Sequence, residues 1–196
     1  MELISHRCNL ISDLNVTPTK YGVEVDIRSV GDQLIIHHDP FLQGVSFNEW
    51  IAAYRHGTLI LNVKEEGLES QLISLMQYQG IDDYFFLDQS FPFLLKWSNL
   101  GEHRAAVRVS EFESIETALT LAGKLDWVWV DCFSKFPLSS QEAERLKDAS
   151  YKLCLVSPEL QGHDAETAIP ALRSLLDELS IEADAVCTKR LDLWEI

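Results

Sequence analysis

The sequence predicts an α/β fold, specifically a compact (β/α)8 barrel. Three observations support this: eight short apolar runs of strand character, intervening segments with helical spacing, and alternation of the two along nearly the whole chain. The apolar runs are residues 2–5, 22–28, 58–64, 84–88, 105–110, 127–132, 152–157 and 185–188, each rich in Ile, Leu, Val or aromatic residues. A ninth run, residues 33–37, follows residues 22–28 across the turn-like 29–32 and reads as the return arm of a β-hairpin after the second strand.

Helical spacing covers residues 46–54, 68–79, 91–100, 114–122, 140–149 and 165–179. Ser46 ahead of Glu49, and Ser139 or Ser140 ahead of Glu142 and Glu144, are hydroxyl caps followed by acids in the first turn. Pro170 inside the last segment predicts a break or a late start there. Residues 8–21 hold Pro18 and lack helical periodicity, so the first barrel helix is expected to be shortened or missing.

At 196 residues, with 46% hydrophobic and 24% charged residues, the chain suits one domain spanning 1–196. There is no internal repeat and no linker rich in Gly, Pro or Ser. No run approaches the length of a membrane span and residues 1–5 lack a secretory pattern, so a cytoplasmic protein is expected. Cys8, Cys132, Cys154 and Cys187 are widely spaced and read as reduced, mostly buried thiols. A formal charge of −15 argues against nucleic acid and against anionic membranes, and a small anionic substrate would need a local cationic pocket.

Active sites of such barrels lie at the C-terminal ends of the strands, and the first strand ends here are polar. The first offers His6, able to transfer protons, and Arg7, able to grip phosphate in two places. In the second, period 2 puts Glu24, Asp26 and Arg28 on one face and Val23, Val25 and Ile27 on the other. Two buried carboxylates would call for a divalent cation, and oxygen ligands suit Mg2+ or Ca2+ better than zinc; the plainer alternative is two solvated acids on an edge strand. The hairpin arm ends in His37 and His38, which face opposite ways, so one of them can enter a site. Asn62 and Lys64 share a face of the next strand, where Lys64 is either a second cation at the mouth or a solvated end. Arg108 would face inward with Ser110, to bind a substrate anion or to pair with Glu111 or Glu113. Trp127, Trp129 and Asp131 share another strand face, as core or as a stacking wall.

The blocks Ser5-His6-Arg7, Glu24-Val25-Asp26 and His37-His38-Asp39-Pro40 resemble, in this order, the opening blocks of the glycerophosphodiester phosphodiesterase family. Leu61-Asn62-Val63-Lys64, Asp88-Gln89-Ser90-Phe91 and the closing run 185–189 are similar to later ones, so the likeness extends over nearly the whole chain. The resemblance implies His6 and His38 as an acid/base pair, Glu24 and Asp26 as metal ligands with Asn62 at the third ligand position, and Arg7 and Lys64 as phosphate clamps. It departs from the family in two places. Asn62 stands where a carboxylate is usual, and the first loop has Cys8 for a glycine and Asn15-Val16-Thr17-Pro18 for Pro-Glu-Asn-Thr.

The expected activity is metal-dependent hydrolysis of a small glycerophosphodiester. Two alternatives are a catalytically silent phosphate-binding or interaction domain, and an unrelated barrel isomerase or aldolase using Lys64 or Lys189.

Overall fold

The computed structural model describes residues 1–195. Its strands are β1 (Glu2–Ser5), β2 (Gly22–Val30), β3 (Gln33–Ile36), β4 (Val45–Ser46), β5 (Leu59–Val63), β6 (Tyr84–Leu87), β7 (Ala106–Val109), β8 (Trp127–Val130), β9 (Lys152–Val156) and β10 (Ala185–Thr188). The helices are α1 (Ile11–Val16), α2 (Phe47–Ala53), α3 (Glu69–Gln79), α4 (Phe91–Asn99), α5 (Ile115–Thr120), α6 (Ser140–Asp148), α7 (Ala165–Leu179) and α8 (Leu191–Trp194), with a 3-10 turn at Pro158–Gln161. The chain packs as two compact units, one of Ser5–Trp97 and one of residues 1–4 with the chain from Ser98 onward.

In the Ser5–Trp97 unit the strands run in the order β4-β3-β2-β5-β6. Strands β2, β5 and β6 are parallel, and their register sets Asp26 beside Asn62. The hairpin to β3 is antiparallel and closes between Val30 and Gln33. Gly31 there has a φ of 61°, the left-handed backbone that a two-residue hairpin loop demands. Gly44 lies so close to β3 that a Cβ on it would stand 2.1 Å from the Ile36 carbonyl oxygen. Val23, Val25 and Ile27 are buried, and so are Glu24 and Asp26, because β2 is covered on both faces. Trp50 of α2 donates its indole N–H to the Cys8 carbonyl at 2.8 Å, fixing the chain just after β1. Helix α1 has six residues, where the sequence of residues 8–21 predicts a shortened or missing first helix.

The other unit has the order β1-β10-β9-β8-β7, with β10, β9, β8 and β7 parallel. Trp127 and Trp129 are both buried in it, as core residues. Helix α7 starts at Ala165 and continues through Pro170, where the sequence predicts a break or a late start. Pro170 forgoes one hydrogen bond near the helix start. Capping of the Thr167 N–H by Asp164 and burial of Ile169, Leu172 and Leu176 keep the turn in place. All four cysteines are free and buried. No helix among the described residues is long and apolar enough to cross a membrane.

Candidate active site

The chain after β1 leaves the strand through Arg7, whose φ of 61° turns its backbone N–H onto Glu24 Oε2 at 2.7 Å. Left-handed backbone at an arginine costs of order 1 kcal/mol, and here it is held by that bond and by Cys8 N donating to the Glu24 carbonyl at 2.8 Å. His6 consequently sits beside the same carboxylate, with Nε2 3.7 Å from Glu24 Oε2.

Glu24 is 0% exposed and Asp26 1%, so each requires compensation. Asn62 donates its amide N–H to Glu24 Oε1 at 2.8 Å. Asp26 Oδ2 accepts from Asn9 Nδ2 at 2.9 Å and lies 3.3 Å from Arg7 Nε. Its Oδ1 is 3.3 Å from Lys64 Nζ, which also reaches Asp88 Oδ2 at 3.0 Å. Two buried carboxylates are thus interleaved with two cations, and Asp26 orients both. Burial, and then the Asp26 carboxylate, push the Glu24 carboxyl up to about 7, against the lowering effect of the Asn62 N–H, Lys64 and the Arg7 N–H.

His38 follows β3 and is 43% exposed, with Nδ1 2.8 Å from Asp39 Oδ1. A carboxylate only accepts, so Nδ1 is the nitrogen that donates in this bond. The same bond lowers the Asp39 carboxyl from its ordinary value. Arg28 grips the His38 carbonyl with Nε at 3.1 Å and Nη2 at 2.9 Å, while Nη1 donates to the Lys64 carbonyl at 3.1 Å. One guanidinium therefore ties the end of β3 to the end of β5. A cavity of about 350 Å³ is lined by Asn9, His37 and His38. His37 engages the Asp39 backbone, its Nδ1 accepting from the N–H at 2.9 Å.

The structure thus brings His6, Arg7, Glu24, Asp26, Asn62 and Lys64 into direct contact within one unit and sets His38 at a neighbouring strand end. Arg108 lies in the other unit, where Nη1 donates to the buried Asp131 at 2.6 Å and Nε is 3.9 Å from Glu113. Asn9, Arg28 and Asp39 are organising residues that the sequence patterns did not single out. Asn9 and Arg28 act through partners set by tertiary packing; Arg28, on the face of Glu24 and Asp26, and Asp39, inside the His-Asp block, carried a sequence signal but no assigned role.

For a divalent cation the donor chemistry fits. Asp26 Oδ1 and Asn62 Oδ1 are both buried and accept no hydrogen bond, and they lie in register beside the Glu24 carboxylate. Among the described residues no three His, Cys, Asp or Glu side chains group as a metal cage, since the third oxygen here is an amide.

No family model matches this sequence, and no curated protein matches it. Solved structures do resemble it, two of them as follows. A glycerophosphodiester phosphodiesterase from Agrobacterium tumefaciens superposes with a TM-score of 0.68 at 13% identity, over 98% of this chain and 98% of that one. A glycerophosphoryl diester phosphodiesterase from Parabacteroides distasonis gives 0.65 at 12%, over 96% of this chain and 82% of that one. The α/β architecture of this chain is therefore the fold of the glycerophosphodiester phosphodiesterases.

Proposed function

We propose that this chain is a phosphodiester hydrolase acting on small glycerophosphodiesters, its eight parallel strands forming one (β/α)8 barrel domain in the cytoplasm. The observation that carries the reading is the buried Glu24–Asp26 pair with Arg7 and Lys64 held 3.3 Å from Asp26 and His6 against Glu24. Solvated acids on an edge strand would need no such setting.

Arg7 and Lys64 bind the phosphate oxygens and stabilise the charge that grows on them as the nucleophile adds. His38, its Nδ1 proton committed to Asp39, takes the proton of the attacking hydroxyl at Nε2. His6, beside the Glu24 carboxylate, delivers a proton to the departing alcohol oxygen. Glu24, Asp26 and the Asn62 amide oxygen would hold Mg2+ or Ca2+, which when bound adds further neutralisation of the phosphate. Arg108, tied to Asp131, has no step in this scheme.

One observation favours a second reading, a silent phosphate-binding domain: Asn62 offers a neutral amide oxygen beside Glu24, which holds a divalent cation less tightly than a carboxylate. Hydrolysis of bis(p-nitrophenyl) phosphate with Mg2+ or Ca2+, with and without chelator, separates the two. We expect chelator-sensitive turnover that drops about 10²–10⁴-fold in His38→Ala. Phosphate binding without turnover would establish the silent domain instead.

A further inference from the structure

Lys64 follows β5, which lies between β2 and β6, and it is held from both sides. On the β2 side its main chain is fixed, the N–H donating to the Ile27 carbonyl at 2.9 Å and the carbonyl accepting from Arg28 Nη1 at 3.1 Å. On the β6 side its ammonium is fixed, Nζ donating to Asp88 Oδ2 at 3.0 Å. The contact with Asp26 is of another kind. Nζ stands 3.3 Å from Asp26 Oδ1, yet that buried oxygen accepts no hydrogen bond. A hydrogen bond weakens steeply off its axis and a Coulomb attraction does not, so Asp26 supplies charge to Lys64 while Asp88 supplies direction.

The backbone at Asp88 is the second observation. Its φ of 61° is left-handed, a conformation that crowds the Cβ of an L-residue and that glycine adopts freely. Aspartate tolerates it better than most residues, but the glycine that would relieve it has no carboxylate. A carboxylate here also repels an incoming phosphodiester, on a chain already at −15. Both costs fall on the one group that aims the ammonium, and strained backbone of this kind collects at functional sites. The side chains of Lys64 and Asp88 are 16% and 27% exposed, so their bond is less screened than an open surface pair.

We propose that Asp88 is a positioning residue: it holds the Lys64 ammonium at the strand ends, short of collapse onto Asp26, with an N–H left for a phosphate oxygen. The use made of that N–H rests on the phosphodiesterase reading.

Two substitutions test it. Asp88→Asn keeps the size and the tolerance of left-handed backbone but removes the charge, whereas Asp88→Gly removes the side chain together with the strain. For hydrolysis of bis(p-nitrophenyl) phosphate we expect kcat to fall about 10–100-fold in both, the span of one charge-assisted hydrogen bond, with KM unchanged or lower. The melting temperature of Asp88→Gly should fall by no more than about 3 °C, since relief of the left-handed backbone offsets the lost ion pair and the freer unfolded chain. A lower KM with kcat unchanged would make Asp88 a charge that only repels the substrate, and a fall in kcat matched by a larger drop in melting temperature in both variants would make its role structural; either overturns the proposal. If the unaltered chain turns nothing over, the phosphodiesterase reading fails and the Lys64 ammonium itself decides the role of Asp88. Its heteronuclear NMR signal should persist in the unaltered chain and vanish into exchange with water in Asp88→Gly, and signals alike in the two overturn the assignment.

Discussion

At Glu24 the fold keeps a carboxyl that burial and the Asp26 charge make reluctant to ionise, and this ties stability to pH. Between its ordinary value of 4.5 and about 7 the unfolded chain has lost this proton while the folded chain retains it. The folded state then binds more protons, so stability falls as pH rises through that window and the loss is complete above it. Glu24→Gln removes the titration, so urea midpoints measured from pH 4.5 to pH 7.5 should show a shallower decline than those of the unaltered chain. Asn62→Asp acts on the same oxygen. With Glu24 Oε1 only 2.8 Å away, a new carboxylate would cost about 1–3 kcal/mol in chelator, and Ca2+ or Mg2+ would restore the melting temperature. A variant whose melting temperature is indifferent to both ions would take Asn62 out of any metal site. Period 2 made the shared face of Glu24 and Asp26 legible in the sequence. The Asn9 side chain that holds Asp26 was not legible, because seventeen residues separate the two and no local pattern links them.

Among the elements, the hairpin arm β3 places His38, and its position depends on Gly44 passing against Ile36. Gly44→Ala puts a methyl 2.1 Å from the Ile36 carbonyl oxygen, so backbone has to move. The expected result is a loss of about 1–3 kcal/mol on thermal unfolding together with loss of hydrolysis, since the displaced strand carries His37 and His38. Normal activity in that variant would show that the arm does not set the site. Apolar runs bounded by turn residues revealed the long strands and most helices to within a residue or two. Strand β4, at two residues, is too short to leave a periodic trace, and α7 absorbs Pro170 because its cap and buried face outweigh one missing bond. Arg28 was legible as a polar neighbour of Asp26, but its grip on two carbonyls depends on how loops meet after the strands.

For the whole molecule, a charge of −15 opposes the approach of any net-anionic diester, with Arg7 and Lys64 as a local exception. Raising NaCl from about 10 mM to about 200 mM shortens the reach of that field, so kcat/KM for such a substrate should rise about two- to fivefold. A fall would mean that the local cations govern the encounter. Composition made this field legible; the grouping of the chain into two compact units left no mark in it, having no linker to announce it. The free thiols are distributed unevenly between those units: Cys8 belongs to one, and Cys132, Cys154 and Cys187 to the other. Burial raises the Cys8 and Cys154 thiols and pushes Cys132 up to about 11, so at neutral pH an alkylating reagent finds almost no thiolate until the surrounding chain opens. Pulsed alkylation read by mass spectrometry would therefore time the opening of each half separately, with the native cysteines as clocks and no engineered label.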